Sequence, residues 1–185
     1  MALFPSLPKD PHLSDVFKVY PQTLKPLLEY HDLLLRGESP LTVAERELIA
    51  AFVSGLNACN FCYGAHKNYA IAFGIDEQTI EALVADIDTA PIDEKLKPLM
   101  RYVAKLKDLP PRLVDRDAAD VYAAGWSERA LYDAIQVAAL FNFMNRIIEG
   151  TGVTFSYEEN PLSEDDMAIR RTRSYSDFGK ELGLE

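Results

Sequence analysis

The sequence has few cysteines, no long uncharged apolar run and no basic segment near its N-terminus. No apolar stretch approaches the roughly 18 residues that a membrane-spanning helix needs. The N-terminal stretch MALFPSLPKDPHL lacks the basic and apolar regions of a signal peptide. These absences predict a cytoplasmic protein without a membrane partner. In the cytoplasm the two cysteines of the chain are expected to stay mostly reduced. Such a pair is more often catalytic or metal-binding than a structural disulfide.

Basic residues are outnumbered by acidic ones, 19 against 29, and the formal net charge is -10. Because no polybasic run offsets this excess, we expect no nucleic acid or anionic membrane as a partner. The hydrophobic fraction of 48% and the charged fraction of 26% are ordinary for a globular protein. A length of 185 residues suits one domain with a hydrophobic core and is short for two.

The alternating pattern of a β-strand is also hard to find, whereas apolar residues recur at helical spacing along most of the chain. One helix is predicted to begin at a capping box formed by Thr42 and Glu45. The stretch from Leu131 to Ile148 is apolar nearly all round, which is typical of a central buried helix or of one shared between subunits. We therefore predict an all-α fold in a single domain, residues 1–185, with a catalytic core at about 20–155.

The residues from about 158 to 185 are polar and mixed in charge, which is compatible either with a loosely held arm or with a segment that wraps a neighbouring subunit. A weak internal helical repeat is suggested by an offset of 83 residues. The matching pairs are Glu45/Glu128, Arg46/Arg129, Leu48/Leu131 and Ala51/Ala134. In this register Cys59, Cys62 and His66 fall on Asn142, Asn145 and Glu149, so the repeat predicts that only the first half keeps the chemistry.

Both cysteines lie in the stretch CNFCYGAH, together with one of the three histidines. Gly55 is predicted to end the preceding helix, and Asn57 to cap a new one with Cys59 in its first turn, where the helix dipole would stabilise a thiolate. Cys62 follows at i+3 and His66 four residues later, so all three share one helical face. A disulfide between the cysteines could form and open there, and the imidazole could take the Cys62 proton and return it.

A carboxylate that has no local structural task is found at Glu47, since Glu45 is used by the capping box. Glu47 shares a helix face with the small residues Ala51, Ser54 and Gly55, which would let another element approach closely. We expect partial burial of Glu47 and a raised pKa, which would suit a proton shuttle.

Glu47 followed by Cys59-x-x-Cys62-x-x-x-His66 resembles the active-site signature of alkylhydroperoxidase D and the carboxymuconolactone decarboxylase-like superfamily, and within it the peroxidase-related subgroup. The resemblance covers roughly residues 20 to 155, including the stretch ALFNFMNRIIEGTGV. It implies an all-helical fold, a homo-oligomer that is trimeric or hexameric, and thiol peroxidase activity without metal or haem. Decarboxylase members of the superfamily lack the cysteine pair, which disfavours lactone decarboxylation.

The resemblance also implies a role for each site residue. Cys62 would be the peroxidatic thiol that becomes a sulfenic acid, and Cys59 the resolving thiol that protonates the leaving alkoxide and closes the disulfide. Glu47 and His66 would form the proton relay. The helix position favours Cys59 as the more acidic thiol, and in the assignment of roles we follow the family. The best-studied members have a second histidine between the cysteines where this chain has Phe61, so the relay is one group shorter and the pocket more apolar.

The substrates and partners implied are a hydroperoxide and an external dithiol donor, either a dihydrolipoyl or a thioredoxin-like protein. Two alternatives keep the same residues without peroxidase turnover: a redox-responsive oligomer, and a zinc site made by Cys59, Cys62, His66 and Glu47. The cysteines could also be buried small hydrophobic residues.

The other polar residues of interest are expected to have structural roles or to lie at the surface. Asn142, Asn145 and Arg146, in the apolar helix, are expected chiefly to bond backbone or inter-subunit carbonyls. His12 and His31 are expected at the surface.

Overall fold

The computed structural model describes residues 3–160 and 162–184, and in that part of the chain the regular structure is helical, with no β-strand. A 3-10 turn spans Pro21–Thr23. The α-helices are α1 (Leu13–Val19), α2 (Leu24–Arg36), α3 (Val43–Leu56), α4 (Asn60–Ala72), α5 (Glu77–Ala85), α6 (Leu96–Leu106), α7 (Asp115–Ala123), α8 (Glu128–Thr151), α9 (Glu164–Thr172) and α10 (Tyr175–Glu181). The all-α prediction is confirmed. None of the helices described is both long and apolar enough to cross a bilayer.

The centre of the fold is α3, which packs against α4, α8, α5 and α6. An unbroken run of its residues, from Arg46 to Ser54, is buried. As predicted, α3 starts at a capping box: the Glu45 amide donates to the Thr42 hydroxyl, and the Thr42 amide donates to the Glu45 carboxylate. The helix expected at the centre, α8, buries one face but leaves Tyr132 and Phe143 exposed.

The junction between α3 and α4 differs from the prediction. Gly55 does not end α3, because the helix continues to Leu56. The glycine instead allows close packing, since a Cβ atom there would lie 2.9 Å from Cγ2 of Val84 on α5. Asn57 is the last cap of α3 rather than the first cap of α4, and Ala58 then turns the chain at a positive φ of 54°. The N-cap of α4 is Cys59 itself, one position before the first turn in which it was expected.

The two segments of the weak repeat differ in structure at this junction. The first segment is divided between α3 and α4, whereas the second runs without a break through α8. The turn at Ala58 therefore gives the cysteine-bearing segment a helix start that the other segment does not have.

The C-terminal segment, residues 157–160 and 162–184, packs onto its own chain rather than extending as a loosely held arm. The N-terminus of α10 is capped by Asp32 on α2, whose carboxylate accepts from the amides of Tyr175 and Ser176 at 2.5 and 2.9 Å. Arg171 on α9 donates from Nε to the Ala72 carbonyl at 2.6 Å. Gly64 lets the start of the segment reach α4, because a Cβ atom there would lie 2.9 Å from the Tyr157 Cβ.

Candidate active site

The two thiols lie together at the start of α4. Both are free and buried, Cys59 with 0% of its surface exposed and Cys62 with 3%. A hydrogen bond from the Cys62 thiol lowers the pKa of Cys59, although burial opposes this effect. The same hydrogen bond, together with burial, raises the pKa of Cys62. The pair is therefore suited to carry one negative charge at a time, located first on Cys59.

The predicted histidine and carboxylate are in direct contact. Nδ1 of His66 lies 2.6 Å from Oε2 of Glu47, and both side chains are buried. The ring of Phe141 on α8 packs edge-on against the imidazole, with ring centres 4.2 Å apart. Because Nδ1 is used by Glu47, only Nε2 of the imidazole remains for proton exchange with another group.

Two further groups hold Glu47, and they change its acidity. Nη1 of Arg36 donates to Oε1 at 2.5 Å, and the Tyr175 hydroxyl donates to the same oxygen at 2.9 Å. Burial raises the pKa of Glu47, but the charges and hydrogen bonds of His66 and Arg36 outweigh it and hold the pKa below its usual value. The expected raised pKa is therefore wrong, and Glu47 is a fixed carboxylate that orients the imidazole.

A cavity of about 270 Å³ meets this group of residues. From α4 it is lined by Phe61, Cys62, Ala65, His66 and Tyr69. From the C-terminal segment it is lined by Tyr157, Arg170, Arg173, Tyr175 and Phe178. Cys59 is absent from the lining, so a molecule in the cavity meets the sulfur of Cys62 first.

The asparagines of α8 lie behind the thiols. Asn145 donates from Nδ2 to the Ser54 hydroxyl at 3.1 Å, and Nδ2 of Asn57 donates to the side-chain oxygens of Asn142 and Asn145 at 3.0 and 2.8 Å. Asn145 also hydrogen-bonds the Cys62 thiol. The expected structural role therefore describes only part of their surroundings, since these amides tie the junction between α3 and α4 to the thiol pair.

Four neighbours of the site were missed or misplaced by sequence reasoning. His31 is buried and lines the cavity, so the expectation that it lies at the surface is wrong. His12 is half-buried and also lines the cavity. A signal for His31 was present, because it occupies the apolar face of α2 with Leu24, Leu28 and Leu35. Arg36 and Tyr175 gave no such signal, since they reach Glu47 across 11 and 128 residues of chain.

The fold and this site can be compared with known proteins. Residues 21–103 match the carboxymuconolactone decarboxylase family. An uncharacterized peroxidase-related protein from Silicibacter sp. TM1040 is 27% identical, with a TM-score of 0.69, over 76% of this chain and 73% of that one. The matched segment is thus similar to the carboxymuconolactone decarboxylase family, and the all-α fold is similar to that of alkylhydroperoxidase D-like proteins.

A second solved structure has a similar fold. It is an alkylhydroperoxidase AhpD core, an uncharacterized peroxidase-related protein from Ralstonia eutropha JMP134, 19% identical with a TM-score of 0.70 over 84% of this chain and 77% of that one. No curated protein matches the chain. The superfamily match ends at residue 103, so it includes the thiols, Glu47 and His66 but none of the C-terminal segment.

The zinc alternative finds no support in the geometry. Within residues 3–160 and 162–184, no three His, Cys, Asp or Glu side chains are grouped so as to hold a metal ion. The imidazole of His66 is hydrogen-bonded to Glu47 through Nδ1, and the thiol of Cys62 is hydrogen-bonded to Cys59. The four residues therefore act as two hydrogen-bonded pairs.

Proposed function

We propose that the protein is a thiol-dependent peroxidase that reduces hydroperoxides through Cys62 and Cys59. The main support for the proposal is that Cys62 and His66 line one cavity, while Cys59, which does not line it, is hydrogen-bonded to Cys62. The 27% identical relative described as peroxidase-related supports the same activity. The largely apolar cavity that Cys62 and His66 line suits an organic hydroperoxide.

In the first step the sulfur of Cys62 attacks the outer oxygen of the hydroperoxide. The S–O bond forms as the O–O bond breaks, so the thiolate is oxidised to a sulfenic acid and the hydroperoxide is reduced to an alcohol. The alkoxide that leaves takes one proton. Cys59 supplies this proton and becomes a thiolate.

Charge must move onto Cys62 before attack, because the hydrogen bond favours the thiolate on Cys59. His66 or solvent removes the first proton of the pair. The proton that Cys62 shares with Cys59 then passes to Cys59, which leaves the Cys62 sulfur, at the cavity wall, as thiolate and the Cys59 sulfur as thiol. This transfer agrees both with the acidity of Cys59 and with the role of Cys62 as the attacking group.

In the second step the Cys59 thiolate attacks the sulfur of the sulfenic acid. The S–S bond forms as the S–O bond breaks, and the hydroxide that leaves takes up the proton first removed by His66 or solvent, so that water is released. The spacing of one helical turn suits this closure. An external dithiol must then reduce the disulfide, with a dihydrolipoyl or thioredoxin-like protein as the donor class. The active form would be a homo-oligomer, a trimer or a hexamer. A redox-responsive oligomer without turnover is the second candidate, favoured by the same reversible pair.

Steady-state hydroperoxide consumption with dihydrolipoamide or thioredoxin as donor tests the activity. We expect turnover by the wild type and a loss of at least 100-fold in Cys62→Ser. In Cys59→Ser, mass spectrometry after one equivalent of peroxide should find a sulfenic acid on Cys62. A wild-type rate no better than that of Cys62→Ser refutes the peroxidase, and a change of oligomer size on oxidation would then favour the redox-responsive protein.

A further inference from the structure

The charges around the cavity run against the charge of the chain. The protein has a formal net charge of -10, yet the charged side chains of the described lining, the histidines aside, are two arginines and no carboxylate. Both arginines, Arg170 and Arg173, come from the C-terminal segment. A positively charged lining in an acidic protein attracts an anionic ligand, and this lining has no carboxylate that would repel one.

Arg170 is held in place without being neutralised. Its guanidinium lies over the ring of Tyr69 at 4.6 Å and that of Tyr157 at 5.8 Å, and it hydrogen-bonds the Tyr157 side chain. Within the described part of the chain it makes no ion pair closer than 4.0 Å, and Asp166, one turn before it, acts on it only through space. The guanidinium is therefore pre-positioned, and its positive charge is open to a ligand.

Arg173 is partly engaged. Its Nη2 donates to the exposed carboxylate of Glu181, and its guanidinium lies 5.6 Å from the ring centre of Phe178. The Nε group of Arg173 is buried and has no hydrogen-bond partner. Two guanidinium charges and the single Glu181 charge leave a net charge of one positive unit beside the cavity, which matches one carboxylate.

The rest of the lining is suited to an apolar body. Phe61, Phe141, Met144 and Phe178 face the space, along with Leu13, Phe17 and Leu28. A cavity of about 270 Å³ is larger than the roughly 150 Å³ that admits benzene. It therefore suits a compact organic acid rather than hydrogen peroxide alone, for which the apolar wall and the two arginines would have no use.

We propose that the substrate is an organic hydroperoxide that carries a carboxylate, with its apolar body in the cavity, its carboxylate on Arg170 and Arg173, and its hydroperoxide at Cys62. The hydroperoxide part of this inference rests on the proposed function. The carboxylate part stands on the cavity alone and can be tested without turnover. The C-terminal segment is then the specificity element of the site.

Calorimetric binding of two matched compounds without a peroxide group tests the carboxylate part. The compounds are 4-isopropylbenzoate and 4-isopropylbenzamide, which share their shape and differ in charge. We expect the carboxylate to bind the wild type at least tenfold more tightly, and its affinity to fall as salt is raised. Equal affinities, or no binding of the benzoate at millimolar concentration, would overturn the proposal.

Variants separate the arginines from the general charge of the protein. Arg170→Gln should weaken benzoate binding at least tenfold, Arg170→Lys less, and neither should alter amide binding, which also serves as a check that the cavity is intact. Glu181→Gln should tighten benzoate binding several-fold, because it releases Arg173. The control is Arg116→Gln, an exposed site on α7 with the same loss of charge. An equal effect of the control and Arg170→Gln would contradict the proposal.

The hydroperoxide part is tested by the ratio of kcat/KM for 4-carboxycumene hydroperoxide and its methyl ester. We expect at least a tenfold preference for the acid in the wild type, and its loss in Arg170→Gln. If benzoate binds through Arg170 but neither hydroperoxide is consumed, the proposed peroxidase fails and the carboxylate site remains. If both hydroperoxides are consumed equally, the peroxidase remains and the substrate class is wrong.

Discussion

The site is built from two regions of different character. Helices α3 and α4 supply Glu47, both cysteines and His66, from a part of the chain that matches a known family. The C-terminal segment lies outside that match and supplies part of the cavity wall, with Tyr157, Arg170, Arg173 and Tyr175. The first region contains groups that can exchange protons or electrons, and the second contains groups that bind and cover.

The packing of the two regions differs in the same way. In α3, the run from Arg46 to Ser54 is buried, whereas no residue of α9 is. The C-terminal segment packs on α2 and α4, where Asp32 caps α10 and Arg171 donates to the Ala72 carbonyl. A buried core with a more exposed covering segment can vary its substrate without disturbing the reacting atoms. The comparison thus predicts large effects on activity and stability for substitutions in α3 and α4, here called the core. Substitutions in the C-terminal segment, here called the cover, should have smaller and more selective effects.

The largest effect is expected in the core, at Glu47. Glu47→Gln keeps the shape but removes the charge that balances Arg36 and orients His66. We expect hydroperoxide reduction to fall about 100-fold. The free energy of unfolding should drop by about 3 kcal/mol, because the guanidinium of Arg36, with 17% of the side chain exposed, would lose its partner.

Glu45→Gln is the matched control for this change. It lies two residues earlier on α3 and loses the same charge, and glutamine can still complete the capping box. Urea unfolding and steady-state rates of both variants decide the matter. Similar losses in the two variants would mean that the Glu47 carboxylate has no particular role.

His31, where α2 meets the cover, is expected to have a smaller effect that depends on pH. Burial lowers the pKa of His31 to about 4, whereas an unfolded histidine has a pKa near 6.5. The folded state therefore disfavours protonation of His31. Its contribution to stability is present above pH 6.5 and is lost as the pH falls towards 4. Between pH 7 and pH 5 this loss amounts to about 2 kcal/mol.

In His31→Leu the corresponding decrease should be smaller by that amount, measured as the free energy of unfolding in urea at the two pH values. His12→Leu is the comparison, since His12 lines the same cavity but is less deeply buried, with an exposed fraction in the intermediate range. If His31→Leu loses as much stability as the wild type on acidification, the imidazole is not kept neutral in the folded state.

The two regions also differ in how well the sequence predicts them. The helical spacing of Cys59, Cys62 and His66 was enough to place them on one face, because the periodicity of a helix is local. The all-α fold followed for the same reason. The contact of Glu47 with His66 was suggested only by the family resemblance, since it joins two residues that lie 19 positions apart on different helices.

The cover could not be predicted by the same means. Tyr175 lies 128 residues from Glu47, and nothing in its neighbourhood reports that contact. The polar composition of the segment was compatible either with a loosely held arm or with a segment that wraps a neighbouring subunit, because its binding groups are charged and aromatic side chains on short helices. The acidity of Glu47 was misjudged for a related reason: burial was foreseen, whereas the two side chains that bond its carboxylate, Arg36 and His66, come from α2 and α4.

The smallest effect is expected from the one hydroxyl by which the cover reaches the relay. Burial and the charge of Glu47 raise the pKa of Tyr175 well above its usual value, so the phenol remains a donor to the carboxylate. Tyr175→Phe removes this donor and leaves the ring that lines the cavity. Loss of a bond to the charged form raises the pKa of Glu47, and the acid limb of the kcat/KM profile should therefore move to higher pH, with a rate about threefold lower near neutrality. Tyr30→Phe, which loses a hydroxyl bond to Gln136 between α2 and α8, should leave the profile unchanged. If Tyr175 only covers the cavity, the acid limb should not shift. An unchanged profile would therefore mean that the C-terminal segment acts in binding alone and that the proton relay depends only on α3 and α4.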